Sequence, residues 1–440
     1  PRVPITLSSM ASLTRMEAQD MRATAAVQSN DLSSTSQGAT SINIGGPKQR
    51  STQQTKTANR KPMTEPQPTF YRFPAEWEHH SGCWMGWPER RDNWHSKAIP
   101  AQNNFVAVAV AISRFEPVTI CATSTQWKTA RSMLPSNIRV IEMGQNDSWF
   151  RDQGPTFVVL KDEHHHGGDV NSASPPPVAG VCWEFNAWGE YCYDDWSLDV
   201  LINNKICDIE RVPQFIPDMV LEGGSIHVDG KGTLLTTIEC LLGKNDINKV
   251  RNPTHNKKEI ENKLYQFLGV KKIIWIPRGA YGDIDTNGHV DNMCCFLREG
   301  VVALHWCEAE EHVEQHARSQ EALLVLQNAG MEVIKILGPR NLIRTELECE
   351  ELEVQADGTV ARAAGDEMPG SYINFYMPNG GIILPQFGDQ ERDANALEIF
   401  QKQFPNRIVV PVQSRDLLCG GGNIHCITQQ QPSGCKDQSR

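Results

Sequence analysis

The sequence predicts an α/β fold assembled from a recurring unit of two strands, a helix and a further strand. Three observations predict it. Short apolar runs alternate with segments whose apolar residues recur at helical spacing. Turn signals such as Asp229-Gly230 and Asn379-Gly380 split the apolar runs into hairpins. The pattern returns at intervals of about 75 residues, longer than common solenoid repeats.

The elements follow in order. A helix carrying Phe105, Val108, Ala109 and Ile112 on one face leads into a strand at Val118–Ala122, and a helix over Gln126–Leu134 leads into a strand at Ile138–Met143. The first clear unit has a hairpin within Met219–Thr237, turning at Asp229-Gly230. Its helix puts Ile260, Leu264, Phe267 and Leu268 on one face and stops at Gly269, and its last strand is Lys272–Pro277. The second runs through Asn292–Trp306 with a turn at Arg298-Glu299-Gly300, a helix over Val313–Ala329 stopped by Gly330, and a strand at Glu332–Leu337. The third comprises Ser371–Phe387, a helix over Glu391–Phe404 and a strand at Arg407–Val412. Such units cannot bury their own faces and must pack on one another. No polar capping repeat is visible, so a closed ring is expected.

Composition narrows the function. The chain has 440 residues, 39% hydrophobic, ample for a large core. No apolar run reaches the length of a membrane span, so none is expected. The net charge of -11 argues against a general nucleic-acid or anionic-membrane binder. It suits a cationic ligand, and equally plain solubility. The 13 cysteines form no Cys-x-x-Cys pair, which fits a reducing compartment and mostly inert core thiols. Residues 1–66 are rich in Ser, Thr, Gln and Ala and are expected to be a disordered extension. Their basic excess fits an organellar transit peptide as well as an ordinary tail. A globular domain over residues 67–432 and a disordered tail over 433–440 complete the organisation. Within Asp162–Pro177, three adjacent histidines (His164, His165, His166) invite a metal reading. Neighbours on one loop rarely converge on an ion, so no metal is expected there.

Four segments concentrate Gly, Asp, Glu, His and Asn beside strands: Asn146 to Pro155, Leu221 to His227, Asp285 to Asn292, and Cys419 to Cys426. In a ring of repeats such positions converge at one mouth. Cys426 follows three glycines, which let backbone approach a ligand closely. Alone it reads as one more core thiol, because a nucleophilic cysteine needs a base or a positive neighbour. His289-x-Asp291 shifts the balance. On a strand, residues two apart share a face, so an acid/base and a carboxylate would point into one site. Asp152 and Glu222 add carboxylates. A guanidinium is a planar cation and a poor electrophile, so an enzyme attacking it must grip its nitrogens and offer a soft nucleophile. Trp149 can wall such a site with its ring. Each residue has a bland reading: a turn acceptor for Asp152, an amide acceptor for Glu222, a turn-closing pair for His289 and Asp291.

These runs, with Trp84-Met85-Gly86-Trp87-Pro88, Phe185-Asn186-Ala187-Trp188-Gly189, Asn374-Phe375-Tyr376 and Ile424 through Pro432, resemble the plant-type agmatine deiminases over about residues 70 to 432. The resemblance implies a pentein fold, a five-fold pseudosymmetric α/β-propeller of ββαβ units. It implies hydrolysis of agmatine to N-carbamoylputrescine and ammonia, within putrescine (polyamine) biosynthesis. It implies Cys426 as nucleophile and His289 as general acid/base. Asp152 and Asp291 would hold the guanidinium with support from Glu222, and Asp285 would lie near the distal amine. Agmatine and water are then the reactants, no metal or organic cofactor is needed, a homodimer is the expected assembly, and neither nucleic acid nor membrane is an expected partner. The location is cytoplasmic, or plastid if residues 1–66 are a transit peptide. Three features depart from the family pattern: a shorter stretch after Trp188, an inserted Asp162–Pro177, and an acidic Gly365 to Gly370. An arginine or methylarginine deiminase is the nearest alternative, and would need a cation for the substrate carboxylate. A non-catalytic pentein-like binding protein is the other, and has no reason to keep Asp152, His289, Asp291 and Cys426 together.

Overall fold

The computed structural model describes residues 66–164, 176–190, 192–243, 251–340, 342–353 and 361–434. Residues 1–65 of the extension expected to be disordered and most of the Asp162–Pro177 stretch, including His165 and His166, lie outside the described residues, as do 435–440.

The chain runs β1 (Tyr71–Arg72), β2 (His80–Gly86), α1 (Ile99–Ile112), β3 (Val118–Ala122), α2 (Trp127–Met133), β4 (Arg139–Glu142), α3 (Phe150–Gln153), β5 (Thr156–Leu160), β6 (Val178–Val181), α4 (Ala187–Glu190), α5 (Ile202–Glu210) and β7 (Gln214–Phe215). It continues through β8 (His227–Val228), β9 (Thr233–Thr237), α6 (Ile238–Leu242), α7 (Lys257–Leu268), β10 (Lys272–Ile276), β11 (Cys294–Arg298), β12 (Val301–Trp306), α8 (Val313–Asn328) and β13 (Glu332–Leu337). It ends with β14 (Gly381–Gln386), α9 (Gln390–Gln403), β15 (Ile408–Gln413), α10 (Arg415–Leu418) and β16 (Thr428–Pro432). The fold is mixed α/β, as predicted.

Five separate sheets form among the described residues, and one pairing rule recurs in each. An antiparallel pair comes first and a parallel strand joins it after a helix. The pairs are β8/β9 then β10, β11/β12 then β13, and β5/β6 then β7. In the sheet of β14 and β15 the leading strand shrinks to one antiparallel bridge, Tyr376 to Ile383. In the last sheet the leading strand is β16, which pairs antiparallel with β2 while β3 and β4 follow in parallel. The two ends of the described chain thus meet in one sheet.

The helices form where the sequence pattern places them. In α7, Ile260, Leu264 and Leu268 are buried, Asn256 and Glu259 close a capping box, and Gly269 ends the helix at φ 64°. Helix α7 and strand β9 bury their apolar faces together: Leu234, Ile260, Leu264 and Leu268 share a core with Tyr71 and Val158. A leucine of that kind contributes about 2 kcal/mol by burial alone.

Three expectations need correction. The predicted Met219–Thr237 hairpin is shorter, because Gly223–Ser225 takes a 3-10 turn before β8. The predicted Ser371–Phe387 hairpin keeps only its second strand, since Pro378 has no N–H to continue a ladder. Three clear copies were expected and the antiparallel-then-parallel pattern occurs five times. The unread sheet joins β1 and β7, each two residues long, to β5 and β6.

Candidate active site

The residues just before each leading strand turn toward a common centre. They are α3 before β5, Gly223–Ser225 before β8, Val290–Asn292 before β11, Asn374 before Tyr376, and residues 420–426 before β16. These five segments touch one another in a closed circuit. Arg151 N donates to the Cys426 carbonyl at 3.1 Å, and Gly224 N to Asp152 Oδ1 at 2.9 Å. Glu222 Oε2 lies 3.6 Å from His289 Nε2. Asn374 Nδ2 donates to Asn292 Oδ1 at 3.0 Å, and Asn374 Oδ1 accepts from His425 N at 3.0 Å.

His289 and Asp291 do not lie on a strand, contrary to the sequence argument. His289 precedes the 3-10 turn Val290–Asn292, and β11 begins only at Cys294. They converge all the same. A Cβ on Gly224 would stand 2.6 Å from His289 Nδ1, 2.9 Å from Asp291 Oδ2 and 3.1 Å from Asp152 Oδ1, so only glycine fits there.

Cys426 Sγ lies 3.4 Å from Asn374 Oδ1 and 3.7 Å from Asp291 Oδ2. Burial, reinforced by Asp291 and Asp152, pushes its thiol well above the usual range, so the resting sulfur keeps its proton. Asp152 accepts from Gly224 N and from Trp188 Nε1, both at 2.9 Å, with His289 Nδ1 3.9 Å away. Burial raises its carboxyl, partly opposed by His289. Glu222 accepts from Arg251 Nε at 3.0 Å. Burial works against its charge, but Arg251 and His289 hold its carboxyl down at about 2. For His289, burial disfavours the charged ring, yet Asp152, Cys240 and Glu222 together raise it well above the ordinary imidazole value. Burial likewise opposes the Asp291 charge, and the bond from His425 Nδ1 at 2.8 Å outweighs it, leaving the carboxyl below its usual range. The site at rest therefore pairs a neutral thiol with an imidazolium, amid ionisable carboxylates. A bound cation would offset those carboxylates and favour the thiolate, while the imidazolium has a proton to give.

Cys426, Asp152 and Trp149 line a cavity with Asp285, Trp188, Cys192, Arg362 and the Gly420–Gly422 turn. Its volume is about 20 Å³, room for roughly one water. His289, Asp291 and Glu222 do not line it; they stand one layer deeper. The Trp149 ring stacks on Trp94 with centroids 5.2 Å apart, and its Nε1 donates to Asp147. Gly421, at φ 104°, lets the turn press against Asp285: a Cβ there would stand 2.5 Å from that carboxylate. Asp285 is not an unpaired acid. Arg362 Nη2 donates to its Oδ1 at 2.9 Å, and the same guanidinium bonds Asn93 Oδ1 and the Gly420 carbonyl.

His425, Asn374, Glu76, Arg251 and Arg362 join the site without a role expected from sequence. The first two stand inside motif runs, beside the nucleophile candidate and before a strand, which is signal enough to single them out. The others meet their partners across 29 to 349 residues with no periodicity to announce it. Two buried groupings have the spacing of metal ligands, Glu76 with His227 and His425, and Glu222 with Cys240 and His289. In the first, His425 Nε2 bonds Glu76 Oε2 at 3.0 Å; in the second, Glu222 Oε2 lies 3.6 Å from His289 Nε2, an ion pair when the ring is protonated. His164 rests against Phe70, its ring centroid 4.4 Å away.

A family model described as Porphyromonas-type peptidyl-arginine deiminase matches residues 72–432. An agmatine deiminase of Medicago truncatula is 52% identical over 378 residues, covering 83% of this chain and 98% of the relative. One from Pseudomonas aeruginosa is 46% identical over 84% of this chain and 98% of its own length. Among solved structures, the agmatine deiminase of Enterococcus faecalis superposes with a TM-score of 0.75 at 39% identity, covering 84% of this chain and 98% of that one.

Proposed function

The chain belongs to the Porphyromonas-type peptidyl-arginine deiminase family, and from that premise we propose that it hydrolyses agmatine to N-carbamoylputrescine and ammonia, a step of putrescine biosynthesis. The observation that carries the proposal is the grouping of Cys426 with Asp152, Asp291, Glu222 and His289 in one buried cluster.

The chemistry follows from the charges. The guanidinium binds between Asp152 and Asp291, with Glu222 supporting the same site. Its positive charge offsets the carboxylates that kept the thiol protonated, so Cys426 ionises and the thiol proton leaves to solvent. The thiolate adds to the guanidinium carbon. His289 passes its proton to one terminal nitrogen, the C–N bond breaks, and ammonia departs, leaving a thiouronium on Cys426. Neutral His289 then takes a proton from water as the oxygen adds to the same carbon. The C–S bond breaks, the remaining hydroxyl proton passes to the departing sulfur, and the ureido product is released with the thiol restored.

Asp285 faces the distal amine, with Trp149 walling the chain of the substrate. Arginine would bring a carboxylate to Asp285 instead, while the Arg362 fork is already engaged by Asp285, Asn93 and Gly420. The recurring pairing pattern supports a five-fold pseudosymmetric ring of ββαβ units over residues 67–432, and a homodimer is the assembly this reading assigns. Cytoplasm, or plastid, is the compartment this reading assigns. None of the described helices is long and apolar enough to cross a membrane.

The test is ammonia release with agmatine, arginine and methylarginine offered separately, followed by mass spectrometry of chain trapped during turnover. The expected result is a preference for agmatine and an adduct on Cys426. A preference for arginine, or an adduct elsewhere, sinks the proposal.

A further inference from the structure

His425 is bracketed by acids. Its Nδ1 lies 2.8 Å from Asp291 Oδ2 and its Nε2 lies 3.0 Å from Glu76 Oε2. Carboxylate oxygens only accept, so both ring nitrogens are satisfied together only when both carry protons. Glu76 is itself anchored, because its Oε1 accepts from Met377 N at 2.8 Å. It comes from the loop before β2, and all three side chains are buried. The same Glu76 Oε2 lies 3.9 Å from His227 Nε2, and Arg151 Nε donates to the His425 carbonyl at 3.2 Å. The charged and titratable groups facing His425 are therefore Glu76, Asp291, Arg151 and His227. Asp291 in turn stands 3.7 Å from Cys426 Sγ.

We propose that Glu76 and His425 are positioning residues, forming with Asp291 a charged strut that fixes the Asp291 carboxylate beside the sulfur. Neither touches the reacting atoms; both act through Asp291. The inference rests on the reading that Asp291 grips the substrate guanidinium. Without the strut, Asp291 is a buried carboxylate free to rotate away from Cys426 or to take up a proton. The electrostatic balance agrees with the geometry. Burial and Arg151 oppose a charge on His425, and Glu76 and Asp291 outweigh them, raising the ring above the ordinary imidazole value. His227 behaves in the opposite way: burial lowers it to about 4, so it stays neutral and adds no competing charge.

The decisive comparison is Glu76→Gln and His425→Gln against the unmutated chain, with kcat and KM for agmatine measured from about pH 6 to 9. Misplacement of a gripping carboxylate by an ångström costs roughly 100-fold. Glu76→Gln is expected to lower kcat/KM about 10- to 100-fold at pH 8 and less at pH 6. Removing Glu76 lets His425 lose its proton earlier as pH rises, so the alkaline limb moves to lower pH. His425→Gln has no ring to titrate, and its deficit is expected to be the same at every pH. A merely structural role would lower the melting temperature of both variants and leave the limb where it is, which overturns the proposal. One measurement needs no variant to fold. In the unmutated chain labelled with 15N-histidine, His289 and His425 are both expected to remain imidazolium above pH 7.5, and of the two only His425 bonds through both nitrogens. A neutral His425 at pH 7 overturns the strut. If the unmutated chain releases no ammonia from agmatine, the functional reading fails, and the ring-nitrogen measurement still judges the strut.

Discussion

Two carboxylates line the same small cavity and are held in opposite ways. Asp152, at the end near Cys426, accepts from a backbone N–H of Gly224 and from the indole of Trp188; its closest cation is His289, 3.9 Å away. Asp285, at the other end, sits against the Arg362 guanidinium at 2.9 Å. Neutral donors orient a carboxylate without cancelling its charge, whereas a guanidinium does both. Burial accordingly pushes the Asp152 carboxyl up. A group in that condition gains most from a cation that arrives with the substrate. Asp285 has its countercharge supplied by the fold, so its contribution to a distal amine is diluted and its larger role is to shape the pocket end. Glu222 belongs with Asp285 in this respect, since Arg251 completes it.

The largest expected effect removes the nucleophile. Cys426→Ala should lower agmatine turnover by at least about 10⁴-fold while leaving agmatine binding measurable by calorimetry. Retained turnover would end any role for Cys426. That inactive variant is also the background in which the two cavity ends can be compared by affinity alone.

Asp152→Asn should come next, with kcat/KM down about 100- to 1,000-fold, as for other single groups that stabilise charge in a reacting centre. Asp285→Asn should cost about 10-fold and show it mainly in KM. Equal losses at the two positions would break the distinction between them. The same contrast has a thermal signature. A folded-state carboxyl raised above its unfolded value makes the ionised form a liability, so its contribution is fully present below the unfolded pKa and is lost as pH rises from there through the folded pKa. Asp152→Asn should therefore melt no lower than its parent at pH 7 to 8 despite its burial. Glu222 has the opposite sign. Held down at about 2, it contributes stability that is present above the unfolded carboxylate value near 4.3 and disappears as pH falls toward 2. Urea midpoints measured down the acid range should decline across that window. In a chain carrying Glu222→Gln this part of the decline should be absent.

The same contrast marks how far the sequence could be read. Glycine stops and apolar periodicity placed the strand Glu332–Leu337 with its observed bounds and the preceding helix within a residue, because those signals are local. Asp152, Glu222, His289 and Cys426 were legible as clusters of polar residues before strands. His289 and Asp291 are nevertheless brought together by a 3-10 turn and not by strand alternation. The countercharges were not legible. Arg362 reaches Asp285 from 77 residues away, and Glu76 reaches His425 across 349, with nothing in their neighbourhoods to mark them. Two-residue strands such as β1 and β7 carry no period at all and exist only through their partners.

The smallest expected effect isolates the second thiol in the cavity wall. Cys192 Sγ donates to the Asp285 carbonyl at 3.1 Å, and burial with nearby Asp285 pushes that thiol well above its usual range. The bond goes to backbone, while Arg362 holds the Asp285 side chain independently. Losing one weak neutral hydrogen bond costs about 1 kcal/mol, and only part of that reaches the ligand. Cys192→Ala should change KM for agmatine less than about 3-fold and leave kcat alone. The two cysteines then differ in what surrounds them and not in access, for both line the cavity. A positively charged alkylating reagent should modify Cys426 faster than its neutral isostere does, because the cation offsets Asp152 and Asp291 as it approaches. At Cys192 the neighbouring acid already has its arginine, so charge should give the reagent no such advantage. Peptide mapping of the alkylated chain separates the two sites. Preferential labelling of Cys192 by the cationic reagent would mean that the uncompensated charge lies at the Asp285 end and that the contrast drawn between the two carboxylates is inverted.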